Sequence, residues 1–502
     1  RNWTMRRWMM GPALIVCCLS MTAGVQALEA VMTEGNVAVG KFYTFNRPPI
    51  RWWGDRYATK WSDGTKLTDE RRGIQAGEWL SQDRFVAWSG KEPVRITLDL
   101  GEPRPVTTVW LSLAVGHKTQ GYYPHRVIVS TRQTTQERWN VLARATDFPP
   151  EPEEVKGKWV VLEGDKTTAR YVQVRIDLQT PPEYPSAQMP SNKVIIDEIR
   201  VDGLIENDWP MVPETGCFHG AYPVAKPKPY LTIKPFEEFV GKKLSMVLWY
   251  HHFGRGSYEK LSGVRAKHLA EGYDGCRYLC VGWLPEITSE EIAHGALDDY
   301  LEEWFTQSVD PELQHGIEDP MWLRPMNEMN GGWAVWGMDP YHFRMAWRRM
   351  YNIAEQIGAT DRHLFVWSPA GVESVEFWNK RARYYPGDQY VDWVGISCYP
   401  SSRGTPDDPQ NYPPAIIRPL YEQYADRKPF MIAEGGFDDR IDRERWVKEW
   451  FESSREEFPM CKAFIWENHG TRRIESDEDA LQMYRQKVAD DYWLDHPLDA
   501  DE

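Results

Sequence analysis

The sequence predicts the α/β fold class: a (β/α)8 TIM barrel preceded by an all-β jelly-roll sandwich. Two observations predict this fold. Residues 36–205 contain short runs in which apolar and polar residues alternate, with no helical pattern between them. After them, continuous apolar runs alternate with stretches of helical spacing, as expected for buried parallel strands covered by helices. The 502 residues suffice for both units.

The sandwich is predicted from short strands that turn-rich loops separate. Proline-rich loops lie at 149–152 and 181–185. Such punctuation is typical of antiparallel sandwiches. The candidate strands are 95–100, 106–113, 126–130, 171–176 and 194–201.

The barrel is predicted from eight apolar runs, because strands that are buried on both faces lack polar alternation. These candidate strands are 217–221, 245–250, 277–282, 322–327, 364–368, 393–398, 430–433 and 463–466. One helix between them has clear boundary signals, with Asp339 as cap, Pro340 in the first turn and Gly358 at the end. The last two helices are expected within 443–458 and 479–494.

The first residues have the pattern of a secretory signal peptide. Arg6 and Arg7 precede a short apolar stretch that ends at small residues. We therefore expect a secreted, periplasmic or cell-surface protein without membrane insertion, since this stretch is too short to span a bilayer. The predicted organisation is signal peptide 1–27, sandwich 28–205, linker 206–215, barrel 216–496 and acidic tail 497–502.

Five cysteines follow the predicted signal peptide, and none has the spacing of a zinc site. An odd number leaves at least one thiol unpaired. Cys217 and Cys461 begin the first and last predicted barrel strands, which are neighbours in a closed barrel. A 217–461 disulfide is therefore a hypothesis.

Composition excludes some partners. The formal net charge of −15, with no basic stripe, disfavours nucleic acid and anionic membranes. The 25 tryptophans are consistent with stacking on sugar rings, although many are expected in the cores. No phosphate-binding loop, dinucleotide fingerprint or metal-binding motif is present, so no cofactor is expected. We expect a monomer whose partner is a neutral polysaccharide.

Two carboxylates stand at informative positions. Glu328 and Glu434 each follow a short apolar run, and the strand count places these runs fourth and seventh in the barrel. Catalytic residues of such barrels lie at the C-terminal ends of the strands. Two carboxylates facing each other there are what a retaining glycosidase requires, one as proton donor and one as nucleophile.

Residues 36–205 resemble the discoidin-like (coagulation factor 5/8 type C) module. The segments that carry the resemblance are 36–41, 96–101, 169–174 and 197–199. It implies sugar binding through loop aromatics, for which the candidates are Trp52, Trp53, Trp61 and Trp79, although local packing of these residues is an equal alternative. A structural calcium ion, which some relatives of this fold bind, is a further possibility.

Residues 216–490 resemble glycoside hydrolase family 26. The motifs are 323–333 with Trp336-Gly337, 384–388 with 391–395 and Tyr399, and 432–434. The resemblance implies Glu328 as acid/base, Glu434 as nucleophile and β-linked plant-type mannan as substrate. It also implies that Trp333 and Trp336 lie near the bound sugar.

Two residues depart from the family pattern. Asn327 stands where the family usually has His, and Ala334 where it usually has an aromatic residue. An Asn before the acid can hydrogen-bond the sugar 2-hydroxyl, the position at which mannose and glucose differ. Mixed-linkage β-glucan and xylan therefore stay open as substrates. A polysaccharide-binding protein without catalysis is the alternative outside the enzyme class.

Further candidates for the substrate site follow from position alone. Arg324 could keep the nucleophile ionised and Tyr399 could hydrogen-bond it. Trp466, at the end of the eighth predicted strand, is a candidate sugar platform, and His251 and His252 follow the second. Each of these has an ordinary structural role as its alternative.

Overall fold

A computed structural model of the chain describes residues 30–50, 61–64, 66–71, 85–116, 121–179, 193–225, 230–231, 233–254, 277–310, 320–401, 405 and 407–498. Within these ranges no helix is long and apolar enough to cross a membrane. The predicted signal peptide, Trp52, Trp53, Trp79, Cys276 and the last residues of the predicted tail lie outside them.

The N-terminal domain is an antiparallel β-sheet. Its strands are β1 (Val31–Asn36), β2 (Tyr43–Phe45), β3 (Val86–Trp88), β4 (Val94–Val115), β5 (Arg126–Arg132), β6 (Asn140–Ala145), β7 (Lys156–Asp177) and β8 (Val194–Asn207). They pair in the order β1-β8-β4-β7-β5-β6, with β2 on β4 and β3 on β8. Alternate residues of β4, beginning at Val94 and Ile96, are buried in the domain's core. The prediction of an all-β domain before the barrel is confirmed, while its discoidin identity remains a prediction.

Eight parallel strands form a closed barrel, as the sequence predicts. They are β9 (Cys217–Ala225), β11 (Met246–Phe253), β12 (Tyr278–Pro285), β13 (Met321–Pro325), β14 (Leu364–Trp367), β15 (Trp393–Cys398), β16 (Phe430–Gly435) and β17 (Cys461–Asn468). Each pairs with the next, and β17 pairs with β9 to close the ring. Two short strands, β10 (Tyr230–Leu231) and β18 (Trp493–Leu494), add to β9.

Helices surround the barrel. They are α1 (Ile233–Val240), α2 (Ser289–Ala293), α3 (Asp298–Val309), α4 (Pro340–Ile357), α5 (Pro413–Tyr424), α6 (Arg443–Glu456) and α7 (Glu478–Val488). Short 3-10 helices lie at Ala359–Asp361, Phe377–Asn379, Arg381–Tyr384, Asp388–Tyr390, Pro409–Asn411, Gly470–Arg472 and Ile474–Ser476. The signals predicted for α4 are confirmed: Asp339 caps the His342 amide at 3.1 Å, and Gly358 ends the helix with a φ of 81°. Helix α7 ends earlier than predicted, because the chain turns there into β18.

The barrel interior is filled by side chains at alternate strand positions. Met246 and Leu248 on β11, Trp322 on β13 and Trp393 on β15 belong to this inner cluster. The linker is predicted at 206–215, but β8 continues to Asn207. Further along this segment, the Pro210 carbonyl accepts a hydrogen bond of 2.9 Å from the Trp393 indole of the barrel. Because Trp393 begins β15, this contact lies at the N-terminal end of the barrel, whereas the active sites of such barrels lie at the C-terminal mouth.

The N-terminal domain docks against α4. The Lys41 ammonium pairs with the Glu355 carboxylate at 2.7 Å, and both side chains are buried, 1% and 10% exposed. The Asn352 amide donates to the Gly40 carbonyl at 2.7 Å, and the Tyr390 hydroxyl to the Val39 carbonyl at 2.6 Å. The two domains therefore share a buried, hydrogen-bonded interface.

The structure bears on two sequence-based expectations, sugar binding by Trp61 and a disulfide between Cys217 and Cys461. Trp61, a candidate sugar-binding residue, is half-buried and packs against the barrel's outer core. Cys217 and Cys461 are both buried free thiols, which contradicts the proposed disulfide. The Cys217 thiol lies 4.0 Å from Phe218 O, and the Cys461 thiol lies 3.6 Å from Ala463 O. Among the described residues no group of three or more His, Cys, Asp or Glu is arranged to hold a metal, so the calcium expectation stays untested.

The interface makes a testable prediction. Lys41→Met leaves the Glu355 carboxylate buried without its partner, and we expect a loss of about 3–5 kcal/mol in the free energy of unfolding. Arg455→Met is the matched control, because Arg455 pairs with Asp490 at 2.7 Å on the surface, where both are 46% exposed. That change is expected to cost under about 1 kcal/mol. Equal losses for both variants in urea unfolding would contradict the docking.

Candidate active site at the barrel mouth

The inward-facing positions of the barrel strands become polar at the C-terminal mouth. Successive side chains of a strand point to opposite faces, so the position two residues after an inward one also faces inward. On β11 Tyr250 follows the buried Leu248 in this way, on β13 Arg324 follows Trp322, and on β17 Glu467 follows Ile465. These inward side chains form a polar layer at the mouth, above the apolar side chains that fill the barrel interior.

Glu434 enters this layer through a break in the strand register. Ile396 on β15 pairs with Ile432 on β16, but the next residue, Ser397, pairs with Glu434. One extra residue on β16 is the signature of a β-bulge, which re-aims a side chain. Glu434, which by simple alternation after the inward Ala433 would point outward, thereby turns into the mouth, where it is 5% exposed.

Three side chains stabilise the ionised form of Glu434. The Arg324 guanidinium donates to Oε2 at 3.0 Å, the Tyr399 hydroxyl donates to Oε1 at 3.1 Å, and the Tyr250 hydroxyl donates to Oε2. Burial by itself raises the pKa of Glu434, but the charge of Arg324 and the three hydrogen bonds outweigh it and hold this pKa below its ordinary value. Glu434 is therefore a carboxylate at neutral pH.

Glu328 lies in the loop that follows β13 and has a left-handed backbone, with a φ of 56°. Met326 and Met338 in the same loop are also left-handed. Such conformations cost of order 1–3 kcal/mol each in non-glycine residues and gather at functional sites. The Glu328 amide donates to Ser368 O at 2.9 Å, and its carboxylate accepts from the Trp333 indole at 2.9 Å, so both ends of the residue are held.

The pKa of Glu328 is displaced in the direction opposite to that of Glu434. Burial, and next the negative charge of Glu434, raise the pKa of Glu328 to about 7. Ser397, the register partner of Glu434, also lies beside the Glu328 carboxyl and acts to lower its pKa. A proton donor and an ionised carboxylate in one cleft are the pair that acid-assisted nucleophilic substitution needs.

A third carboxyl group, Glu467, belongs to the same layer. The Tyr399 hydroxyl lies 2.8 Å from its Oε2, and Arg472 pairs with it at 2.9 Å. Burial and the charge of Glu434 raise the pKa of Glu467 to about 7. The mouth therefore holds three coupled carboxyl groups.

The structure brings several of the sequence-predicted residues together. Arg324 and Tyr399 contact Glu434, and Trp333 contacts Glu328. Asn327 is buried beside Glu328, and its Oδ1 has no hydrogen-bond partner in the structure. Trp336 is 5% exposed and donates from its indole to Asn327 O at 3.0 Å, so it supports the loop backbone.

Two predicted substrate contacts are wrong. Trp466 is 0% exposed, with its ring against Phe437 and Trp450 outside the barrel wall, so it cannot form a sugar platform. His251 is 1% exposed and bonds the Tyr300 hydroxyl at 2.9 Å. Both lie one residue away from inward positions and therefore face the helices. His252 is exposed at the end of β11.

Sequence reasoning missed two residues of the site, Tyr250 and the carboxyl of Glu467. The signal that could have found both is the period-two step from the inward residues Leu248 and Ile465. Arg472, which pairs with Glu467, lies in a 3-10 helix after β17 and carries no such signal.

Part of the chain is similar to proteins of known family. Residues 300–411 match the family model described as Glycosyl hydrolase family 26; this range contains Glu328 and Tyr399 and ends before Glu434. Endoglucanase H of Acetivibrio thermocellus is 29% identical over 277 residues, which are 51% of this chain and 29% of that protein. A mannan endo-1,4-beta-mannosidase of Bacillus subtilis is 25% identical over 152 residues, 28% of this chain and 38% of that protein.

The chain thus spans well under half the length of these curated relatives. Among solved structures, Bacillus subtilis mannanase man26 aligns with a TM-score of 0.41 and 17% identity, over 57% of this chain and 90% of that one.

The coupling between the two carboxyls can be measured directly. In Glu434→Gln the negative charge next to Glu328 is removed, so we expect the pKa of Glu328 to fall below 7 while staying above its ordinary value because of burial. Carboxyl-selective NMR titration of 13C-labelled protein reports it. Glu449→Gln, on the outer helix α6, is the control and should leave this pKa unchanged. An unaltered Glu328 titration in Glu434→Gln would show that the carboxyls do not interact.

Proposed function

We propose that this chain is a retaining endo-β-glycanase that hydrolyses a β-linked plant-type polysaccharide. The observation that carries the proposal is the pair formed by Glu328 and Glu434, at the ends of the fourth and seventh barrel strands, with pKa values displaced in opposite directions. The match to the Glycosyl hydrolase family 26 model supports the same reaction class.

The reaction follows from the two protonation states. Glu434 attacks the anomeric carbon while protonated Glu328 gives its proton to the departing glycosidic oxygen, so a glycosyl ester forms as the sugar–oxygen bond breaks. Glu328, now ionised, then removes a proton from water, whose oxygen attacks the same carbon and releases Glu434. Two inversions retain the configuration.

The neighbours of the pair have roles in this cycle. Arg324, 0% exposed, does not reach the sugar; it keeps Glu434 ionised and fixed. Tyr250 and Tyr399 hold the attacking carboxylate in one orientation. Trp333 aims the Glu328 carboxyl. The mechanism needs no metal or organic cofactor.

The leading substrate is β-1,4-mannan, supported by the relatives named mannan endo-1,4-beta-mannosidase. A β-glucan is the second candidate, because the match to Endoglucanase H spans 51% of the chain and Asn327 stands beside the acid. Reducing-sugar release from purified mannan, mixed-linkage β-glucan and xylan separates them. Release from none would end the proposal and favour a binding protein. We further propose that the protein is exported, acts as a monomer and uses its N-terminal domain to bind carbohydrate.

Substitution of the nucleophile tests the mechanism. Glu434→Ala should lower kcat by about 10⁴-fold or more, and added azide should restore turnover with a glycosyl azide of inverted configuration. Glu328→Ala should keep much more activity on aryl glycosides with good leaving groups than on polymer, because those substrates need no proton. Wild-type-like turnover by Glu434→Ala, or equal losses on both substrates for Glu328→Ala, would contradict the assignments.

The pH profile tests the role of Arg324. For the wild type we expect kcat/KM to fall with acid as Glu434 becomes protonated, below the ordinary carboxyl pKa, and to fall with base above about pH 7 as Glu328 loses its proton. Arg324→Met removes the charge that lowers the pKa values of Glu434 and Glu328. Both the acid limb and the basic limb of the pH profile should therefore shift to higher pH. The acid limb should move further, by about 1–3 units.

A second buried pair supplies the control. Arg277→Met breaks an ion pair of 2.7 Å with Glu237. The Arg277 side chain is 6% exposed and the Glu237 side chain 12%. Its loss should reduce stability and leave both limbs in place. An acid limb that stays unmoved in Arg324→Met would remove this role from Arg324.

A further inference from the structure

The exposed large apolar side chains of the described residues are concentrated at one place. Of ten such side chains, seven lie between residues 333 and 378, in the loops that follow β13 and β14. Single exposed apolar residues are ordinary, whereas a contiguous group marks a binding surface. We call the exposed apolar side chains of 333–338 and 372–378 the loop platform.

The two loops are locked together from beneath. The Asn330 side chain accepts from Ala370 N at 2.8 Å and donates to Val372 O at 3.2 Å. The Asn379 side chain donates to Asn330 O at 2.9 Å. Both asparagines are buried, 6% and 2% exposed. The exposed apolar groups are therefore carried on a rigid base, which lowers the entropic cost of binding.

The platform begins at the candidate active site, because Trp333 belongs to both. The Trp333 indole donates to Glu328 and is 59% exposed. Further out, Phe377 is 74% exposed, with the Arg383 guanidinium 4.0 Å from its ring centre. Trp378 beside it is 45% exposed. Rings of this kind offer flat apolar faces of the size of a pyranose.

We propose that the loop platform binds the leaving-group side of the polysaccharide chain by stacking sugar rings on these side chains. The proposal rests on the proposed function. Glu328 delivers its proton to the leaving oxygen, so the surface that continues from Glu328 holds the portion of the chain that departs. The charged neighbours Glu373 and Arg381 pair with each other at 3.0 Å, which favours a neutral ligand over an ionic one.

Substrate length provides the test. Phe377→Ala and Trp378→Ala should each lower kcat/KM on a hexasaccharide of the cleaved polysaccharide by about 5- to 10-fold, the loss of one aromatic contact. On an aryl glycoside, whose leaving group ends near Trp333 and is too short to reach Phe377 and Trp378, the change should be under about twofold. Arg455→Ala, which removes a large exposed side chain (46%) from the outer helix α6 of the barrel, is the control and should change neither. Unchanged hexasaccharide cleavage, or equal losses on both substrates, would overturn the platform while the hydrolase function stands.

Gel retardation in polysaccharide separates the two proposals. Should the wild type cleave nothing, the hydrolase function fails, and weaker retention of Phe377→Ala than of wild type in mannan or β-glucan gels would still support the platform. Unchanged retention would overturn it. A wild-type dimer that Phe377→Ala dissociates in analytical ultracentrifugation would identify the platform as an interface between two copies, and would also overturn the proposal.

Discussion

The buried ion pair between Arg324 and Glu434 is the interaction on which the rest of the site depends. Two charges removed from water are stable only when they satisfy each other and their remaining hydrogen bonds. The Tyr250 and Tyr399 hydroxyls donate further hydrogen bonds to the Glu434 carboxylate, and the Ser368 hydroxyl accepts one from Arg324 at 3.1 Å. The charge retained on Glu434 is in turn one of the causes that keep Glu328 protonated. One guanidinium thus sets the state of both carboxyls.

The mouth is built from the same alternation that fills the barrel. On β11, β13 and β17 the inward positions are apolar at first and become polar towards the C-terminal end, so the site is an extension of the core and inherits its rigidity. The exceptions are informative. Glu434 needs a bulge to face inward, and Glu328 needs a left-handed backbone. Both departures from regular geometry occur at the two reactive groups, where strain is expected.

Much of the fold was predictable because buried parallel strands are continuously apolar, and all eight barrel strands follow from that property. The positions of Glu328 and Glu434 follow from strand order alone. The neighbours were harder to predict. Proximity to a strand end points to Trp466 and His251, whereas parity within the strand decides which face a side chain occupies. Parity selects Tyr250 and Glu467 instead. The docking of the N-terminal domain on α4 could not be predicted, since contacts such as Lys41–Glu355 join residues far apart in sequence.

The hydroxyl of Tyr399 stands between Glu434 and Glu467 with a single hydrogen to give. When it donates to one carboxyl group, the other is left with its remaining donors, Arg324 and Tyr250 for Glu434 and Arg472 for Glu467. Glu467 and Glu328 both bind protons near neutrality, so uptake at one alters uptake at the other across Glu434. Titration of this cluster is collective, and its macroscopic midpoints belong to three groups together. Glu467, one tyrosine hydroxyl away from Glu434, thereby contributes to the pH range in which the proposed reaction can proceed.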